Sequence, residues 1–267
     1  MTYKIVVCVK QVPDTQDIKW TESNTIQREG LESIINPYDF AAIQLAKNIK
    51  FLNTDSEIHV VSMGPLQACE ALKDAVAYGC DYAYLLSDKK FSCSDTLATA
   101  YTLSEFIKNI IPDYSIVICG QQAVDGDTAQ TPSSLAEKLN ISQLTDIKAL
   151  KALDDNCSSW IKETTKTYEE IKVSGRCLIA TNIKDVELKS DINGYIKAQN
   201  CKINILKASD INTDETRIGL KGSPTFVKKA FAPDLTRETI TMNDMTTAEI
   251  SKFIEDKISK CRSQYEE

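Results

Sequence analysis

Short apolar runs alternate with stretches of helical periodicity over the first half of the chain. Strand-like runs cover 3–9, 58–63, 82–86 and 115–120, and polar loop residues follow each of them. Strands that alternate with helices pair in parallel through right-handed crossovers. The pattern therefore predicts an α/β fold, a Rossmann-like parallel sheet with helices on both faces. The helices cover 37–51, 65–78 and 133–139, and a further helix reaches to about residue 110.

Shorter strand-like runs separated by polar turns begin near Thr145. Apolar runs of this length bounded by turn residues are typical of hairpins. They predict antiparallel additions to the sheet, and they cover 147–153, 158–161, 167–173 and 177–182.

The last part of the chain has a different texture. Residues 207–237 show little helical or strand pattern, as expected of a segment that lies on a partner. A Thr-Thr-Ala-Glu capping box at 246–249 begins a terminal helix with one apolar stripe, which either the chain's own core or another subunit must cover. We expect an α/β domain at 1–206 and a C-terminal arm with its helix at 207–267.

One stretch joins a buried strand to a helix at the predicted carboxyl edge of the sheet. The run Ser-Ile-Val-Ile-Cys-Gly at 115–120 precedes a polar loop with Gly126 and Thr128. Glycine lets the backbone approach a phosphate, Thr128 can cap the next helix, and free N–H groups at a helix start attract anions. The stretch predicts a nucleotide cradle, but the same residues are typical of plain turns and caps. Asn36 before Pro37 leaves the same two alternatives, a cap or a ligand contact.

Composition narrows the class of protein. The net charge of -7 argues against a nucleic-acid binder. The N-terminal apolar run is too short for a signal peptide, and no segment is long enough to cross a bilayer, so we expect a cytoplasmic protein without membrane insertion. Nine cysteines without a Cys-x-x-Cys pair predict reduced thiols and no metal site. The lone histidine, His59, lies in a strand-like run and is expected to be a satisfied core or edge residue.

Six sequence blocks together resemble the β subunit of electron-transfer flavoproteins, specifically the electron-bifurcating type. They occur in the order that the family has and span nearly the whole chain. The blocks are 7–15 (Val-Cys-Val-Lys-Gln-Val-Pro-Asp-Thr), 36–39 (Asn-Pro-Tyr-Asp), 61–65 (Val-Ser-Met-Gly-Pro), 94–99 (Ser-Asp-Thr-Leu-Ala-Thr), 120–130 and 219–225 (Gly-Leu-Lys-Gly-Ser-Pro-Thr).

The resemblance implies a HUP-type sheet in a heterodimer with an electron-transfer flavoprotein α subunit, on which the 207–267 arm packs. It implies that the chain binds FAD and transfers electrons, distributing those of NADH between ferredoxin and a flavin dehydrogenase of the acyl-CoA type. An alternative is a non-bifurcating β subunit that holds a structural AMP, and another is a divergent nucleotide-binding module without redox activity. The chemistry belongs to the flavin, so no catalytic residue is expected in this chain.

The same resemblance implies the cofactor contacts. They lie at the carboxyl ends of the predicted strands, and Thr96 and Thr99 are expected to lie toward the flavin ring. The implied contacts are Cys8, Asn36, Pro37, Tyr38, Asp39, Met63, Thr96, Thr99, Gly120, Gln121, Gln122, Ala123, Val124, Asp125, Gly126, Asp127, Thr128, Ala129, Gln130 and Thr131.

Two departures from the family pattern affect the expected function. Gln121 stands where members usually have Arg or Lys, which removes a cation near phosphate or flavin. The partner-recognition loop at 184–191 begins with Lys184 instead of an apolar anchor, and such anchors contribute much of the binding energy of an interface. The resemblance therefore supports nucleotide binding more strongly than it supports the choice of a dehydrogenase partner.

Overall fold

The computed structural model describes residues 3–14, 33–154, 156–183, 186–228, 241–242 and 245–265, with side chains described through residue 259. The chain divides into two compact units, Met1–Ala230 and Phe231–Glu267. The strands of the first unit are β1 (Lys4–Cys8), β2 (Gln11–Pro13), β3 (Ser33–Ile35), β4 (Glu57–Met63), β5 (Tyr82–Leu86), β6 (Ile116–Gly120), β7 (Ser142–Asp154), β8 (Cys157–Glu163), β9 (Tyr168–Ser174), β10 (Cys177–Thr181) and β11 (Ile203–Leu206).

A nine-stranded sheet forms the centre of the first unit. Its order is β11-β5-β4-β1-β6-β10-β7-β8-β9, and the pairs from β11 to β7 are parallel. β8 and β9 add to one edge in antiparallel pairing, and β2 and β3 form a separate antiparallel pair. The predicted α/β fold with a mostly parallel sheet is confirmed.

Helices cover both faces of this sheet. One buried core joins the sheet to α1, α2 and α5, and a second joins the opposite face to α3 and α4. The helices are α1 (Pro37–Leu52), α2 (Cys69–Ala77), α3 (Thr96–Ile110), α4 (Thr131–Leu139) and α5 (Ile192–Asn200) in the first unit, and α6 (Thr247–Tyr265) in the second.

β6 shows why the central strands are continuous apolar runs. Ile116 and Ile118 belong to the core under α1, whereas Val117 and Cys119 belong to the core under α3. Because successive side chains point to opposite faces and both faces are covered, every residue of the strand must be compatible with burial.

The prediction that 177–182 is an antiparallel addition is wrong. β10 lies between β6 and β7 and is parallel to both. All five of its residues are buried, as in any central parallel strand. The flanking polar turns favoured a hairpin because they carry no information on where a strand inserts in the sheet.

α5 is absent from the sequence prediction, which had only polar, weakly periodic chain up to Cys201. Asp191 accepts a hydrogen bond from the Gly194 backbone N–H and caps the helix, and Ala198 is its one buried residue. A helix with so narrow a buried face shows little periodicity. It is placed by contact with α2, where a Cβ on Gly194 would lie 2.3 Å from the Ala77 carbonyl oxygen.

The segment after β11 belongs to the first unit as far as residue 228. Ala208, Ile211 and Ile218 are buried in the core under α3. In the second unit, Thr246 and Glu249 bond to each other in the expected capping box at the start of α6. The packing of 207–267 on a partner subunit stays a prediction. Within the described residues, no helix has the length and apolar character needed to cross a bilayer.

Ile118 gives a direct test of this core. Its side chain is fully buried, so Ile118→Ala should lower the free energy of unfolding by about 2–5 kcal/mol and Ile118→Val by about 0.5–1.5 kcal/mol. Leu66→Ala is the control, because Leu66 is 63% exposed and should change stability by less than about 0.5 kcal/mol. Urea unfolding measures all three, and equal effects at the two positions would contradict the described core.

Candidate functional site

The candidate site lies at the carboxyl edge of the sheet, where the strand order changes direction. The chain runs outward from β1 through β4 to β5, and then returns to place β6 on the other side of β1. The loops that leave β1 and β6 therefore diverge at this point, which is where open α/β sheets bind ligands. We call Lys10, Asn36, Asp39, Gly120 and the loop 121–130 the carboxyl-edge site.

Asn36 joins the start of α1 to the loop. Its buried side-chain amide donates from Nδ2 to the Gln122 carbonyl (2.9 Å), and its Oδ1 accepts from the Val124 N–H (3.1 Å). It makes no side-chain cap bond to α1, although it occupies the N-cap position. The structure thus adds a third role to the two that the sequence left open, that of a clamp on the loop backbone.

Asp39 and Gly120 set the distance between α1 and the end of β6. The Lys10 backbone N–H donates to Asp39 Oδ2 over 2.7 Å. A Cβ on Gly120 would lie 2.3 Å from Asp39 Oδ1 and 2.7 Å from Tyr38 Cβ, so a side chain there would displace the helix. Gly120 is therefore needed for packing, whatever ligand the site holds.

Burial changes the ionisation of Asp39. Loss of water raises the pKa of this carboxyl from its ordinary value of 3.8 to about 7, even though hydrogen bonds from the Lys10 and Gly120 backbones and from Asn36 lower it. The site therefore contains a carboxyl that is largely neutral in mildly acidic solution, and this neutrality reduces repulsion toward an anion.

The loop after β6 turns back on itself. The N–H groups of Gly126 and Asp127 both donate to the Ala123 carbonyl (3.2 and 2.8 Å). Asp127 and Ala129 have left-handed backbone angles, with φ of 51° and 53°. A Cβ on Gly126 would meet no atom within 4 Å, so the space beside it is open.

The predicted cap by Thr128 is wrong. α4 begins at Thr131, Gln130 occupies the N-cap position, and no side chain caps the helix. The reason is the backbone on either side of Thr128: two left-handed residues keep the chain turning, so helical geometry starts three residues later.

An ion pair holds one acidic side chain of the loop, and a hydrogen bond holds the other. Lys10 Nζ bonds to Asp125 Oδ1 at 2.7 Å, and the Asp125 side chain is only 10% exposed. Gln122 Nε2 donates to Tyr38 Oη (3.2 Å) and to Asp127 Oδ1. Sequence reasoning did not single out Lys10 as a site residue, although it stands one residue after the first strand-like run, where a site residue is expected.

Gln121 brings an unsatisfied acceptor to the site. Its backbone N–H donates to the Thr181 carbonyl at 2.8 Å, which ties the loop to β10. Its side-chain Oε1 is buried and accepts no hydrogen bond from the described residues. A buried acceptor without a donor costs about 1–3 kcal/mol, so a ligand N–H or O–H at this place would be stabilised.

The remaining predicted contacts flank the loop on the α3 side of the sheet. Cys8 and Cys119 lie directly opposite each other on β1 and β6, and Cys8 and Met63 pack against the core under α3. The Cys8 thiol and burial hold the pKa of the Cys119 thiol well above its usual range. Thr96 begins α3 and donates from Oγ1 to Gln130 Oε1 at 3.2 Å, and Thr99 lies half-buried one turn later.

His59 lies away from the carboxyl-edge site, in the middle of β4. Its ring faces Glu57 Oε2 (3.3 Å) and Tyr84 Oη (3.4 Å) and stacks on Tyr82. Burial lowers the pKa of the ring, although Glu57 raises it. The expectation of a satisfied histidine is confirmed.

Residues 23–203 match the family profile described as the electron transfer flavoprotein domain, which is more than half of the chain. The chain belongs to the electron transfer flavoprotein family. It is 40% identical over 238 residues to the electron transfer flavoprotein subunit beta of Megasphaera elsdenii, covering 86% of this chain and 87% of that protein. It is 37% identical to the subunit beta of Thermoanaerobacterium thermosaccharolyticum, covering 98% of each. It is 38% identical to subunit CarD of the caffeyl-CoA reductase-Etf complex of Acetobacterium woodii, covering 86% of this chain and 88% of CarD.

The stretch that matches the electron transfer flavoprotein domain contains α1, the loop 121–130 and the start of α3. Lys10 lies before it, so the Lys10–Asp125 ion pair joins the matched stretch to the residues that follow β1. The structure brings the predicted contact residues to one edge of the sheet, and their contact with a nucleotide stays a prediction.

Asp39 predicts how the stability of this electron transfer flavoprotein chain depends on pH. Its pKa is raised in the folded state, so between pH 4 and 7, approximately, the native protein holds a proton that the unfolded chain has lost. Stability should therefore fall as pH rises through this window, by a few kcal/mol at about 1.4 kcal/mol per pKa unit. Asp39→Asn should flatten the slope in urea unfolding at a series of pH values.

Asp55→Asn is the matched control, because Asp55 lies exposed in the loop between α1 and β4. It should keep the wild-type slope. An unchanged slope in Asp39→Asn would show that Asp39 does not titrate in this window.

Proposed function

We propose that the chain is the β subunit of a heterodimeric electron transfer flavoprotein and that its carboxyl-edge site binds the adenosine diphosphate part of FAD. The names of its relatives support the subunit assignment. The observation that carries the nucleotide proposal is the conformation of the loop, in which left-handed residues flank Thr128 next to the open space at Gly126.

This conformation suits an anion. Turns that alternate right-handed and left-handed residues direct successive backbone N–H groups to one side, where they bind phosphates. Among the described residues, the N–H groups of Thr128 and Ala129 have no acceptor. Lys10 neutralises Asp125, which reduces the repulsion between the loop carboxylates and a diphosphate, and Gln122 holds Asp127 by a hydrogen bond.

The residues present fit an adenine nucleotide in other respects too. The buried Gln121 Oε1 lacks a donor among the described residues, and the free thiols of Cys8 and Cys119 lie on paired residues near the ends of β1 and β6. Asn36 fixes the loop before any ligand arrives, which lowers the entropy cost of binding. Bound FAD would supply hydride and single-electron chemistry, and the chain would supply binding and orientation.

We further propose that the heterodimer distributes the electrons of NADH between ferredoxin and a flavin dehydrogenase. Gly126 and Thr128 support a cofactor that contains a diphosphate. The missing side chain of Gly126 leaves room for the second phosphate, and the neutral hydroxyl of Thr128 adds no negative charge beside it. The name of CarD supports an acyl-CoA-type acceptor, since that relative belongs to a complex with caffeyl-CoA reductase.

The cofactor content of the heterodimer tests the proposal. Co-expression with the α subunit should give a yellow complex with two FAD per heterodimer whose flavin absorbance bleaches with NADH. Extraction and mass analysis identify the nucleotides. One FAD and one AMP would assign the chain to the simple electron carriers, and two FAD without bleaching by NADH would contradict electron distribution.

Substitution at Gly126 tests the place of binding. Gly126→Phe should abolish FAD retention in the β subunit, because its ring would fill the open space beside the loop. Gly126→Ala is the control and should lower FAD affinity by less than about tenfold, since a Cβ meets no protein atom there. Thermal unfolding should be the same for both variants without FAD. Full FAD retention by Gly126→Phe would show that the loop is only a turn.

A further inference from the structure

The segment Gly219–Thr225 has no part in the proposed nucleotide contacts, yet it bonds to the residues that begin α3. The Asp95 backbone N–H donates to Ser223 Oγ at 2.8 Å, and the Gly219 N–H donates to Ser94 Oγ at 3.2 Å. Thr225 donates to Asp95 Oδ2 from both its backbone N–H (3.1 Å) and its Oγ1 (2.9 Å). The segment therefore holds the entry to the helix at two consecutive residues, Ser94 and Asp95.

Asp95 serves the helix and the segment with separate oxygens. Oδ1 accepts from the backbone N–H groups of Leu97 and Ala98, each at 3.0 Å, and so caps α3. Oδ2 accepts only from Thr225 among the described residues. Burial raises the pKa of Asp95, but the bonds from Ala98, Thr225 and Leu97 lower it more, so the carboxyl stays ionised. Bonds to an ionised acceptor are the stronger kind.

The backbone of the segment leaves little freedom for displacement. Gly219 has a φ of +56°, and a Cβ there would lie 2.1 Å from the Lys90 carbonyl oxygen. Ile218 is buried beside it, and the Arg217 guanidinium lies 4.0 Å from the centre of the Tyr101 ring on α3. The segment is therefore packed against the same helix whose start it holds.

The first turn of α3 reaches the carboxyl-edge site. Thr96 Oγ1 donates to Oε1 of Gln130, which is the last residue of the loop 121–130. Thr96 and Thr99 are the residues expected to lie toward the flavin ring. Any shift of the Asp95 cap would move these two side chains and leave the Asn36 clamp on the other end of the loop in place.

We propose that Ser223 and Thr225 are positioning residues, which set the place of Thr96 and Thr99 against the flavin end of the nucleotide through Asp95. This inference rests on the proposed function, because it assigns the α3 side of the site to the flavin. It predicts that the segment affects FAD more than AMP, since AMP has no flavin or ribityl group to reach α3.

The test uses the full chain purified with its α subunit, depleted of nucleotide and titrated with FAD and with AMP. Thr225→Val removes the hydroxyl and keeps the shape and the backbone N–H. It should weaken FAD binding about tenfold and AMP binding by less than about twofold, and it should shift the visible absorption of the flavin. Thr225→Ser keeps the hydroxyl and should restore the wild-type affinity and spectrum.

Thr216→Val is the matched control, because it also removes a threonine hydroxyl that bonds to an aspartate, here Asp214 at 2.7 Å. It should leave both affinities unchanged. Amide hydrogen exchange without nucleotide gives an independent measure. The amides of Leu97 and Ala98 should exchange about tenfold faster in Thr225→Val and at the wild-type rate in Thr216→Val.

Equal losses of FAD and AMP affinity in Thr225→Val, or wild-type FAD binding together with wild-type exchange at Leu97 and Ala98, would overturn the inference. If the wild-type heterodimer binds AMP but no FAD at this site, the proposed function fails instead. The amide exchange rates of Leu97 and Ala98 in Thr225→Val then decide by themselves whether Thr225 holds the start of α3. Unchanged rates overturn that role of Thr225.

Discussion

The close approach of α1 to the end of β6 is the constraint on which the candidate site depends. It is possible only because Gly120 has no side chain where Tyr38 and Asp39 pass. Once the helix start is that close, Asp39 can hold the Lys10 backbone and Asn36 can reach the backbone of the next loop. A single missing methyl group thus allows three separate chain segments to meet.

The same approach has an electrostatic consequence. A carboxyl drawn into the space between a helix and a strand end loses water, and its pKa rises toward neutrality. Of the other acidic residues of the loop, Asp125 is neutralised by Lys10, and Asp127 accepts a hydrogen bond from the amide of Gln122. A chain with an excess of acidic residues can therefore present an edge whose backbone N–H groups suit an anion, because local pairing matters more than net charge at short range.

Local patterns predicted the elements around the site well. Continuous apolar runs predicted β1, β4, β5 and β6, because strands covered on both faces need them. The orientation of β10 and the existence of α5 could not be predicted. The first depends on where the strand inserts in the sheet, and the second depends on packing against α2.

Within the site, residue types predicted location better than role. Asn36 was expected to cap α1 or to bind a ligand. It does not cap the helix but clamps a loop 86 residues away, and its contact with a ligand stays a prediction. The prediction of a Thr128 cap is wrong because the residue types Asp and Ala do not indicate the left-handed backbone angles found at positions 127 and 129. The Lys10–Asp125 pair joins residues 115 positions apart, and only the topology of the sheet brings them together.

A structure of the heterodimer with its nucleotides bound tests the central claim most directly. We expect a FAD whose diphosphate accepts hydrogen bonds from the backbone N–H groups of Thr128 and Ala129, with Gln121 Oε1 accepting from the nucleotide. A carboxyl-edge site filled by protein side chains, with the nucleotide bound elsewhere, would contradict it.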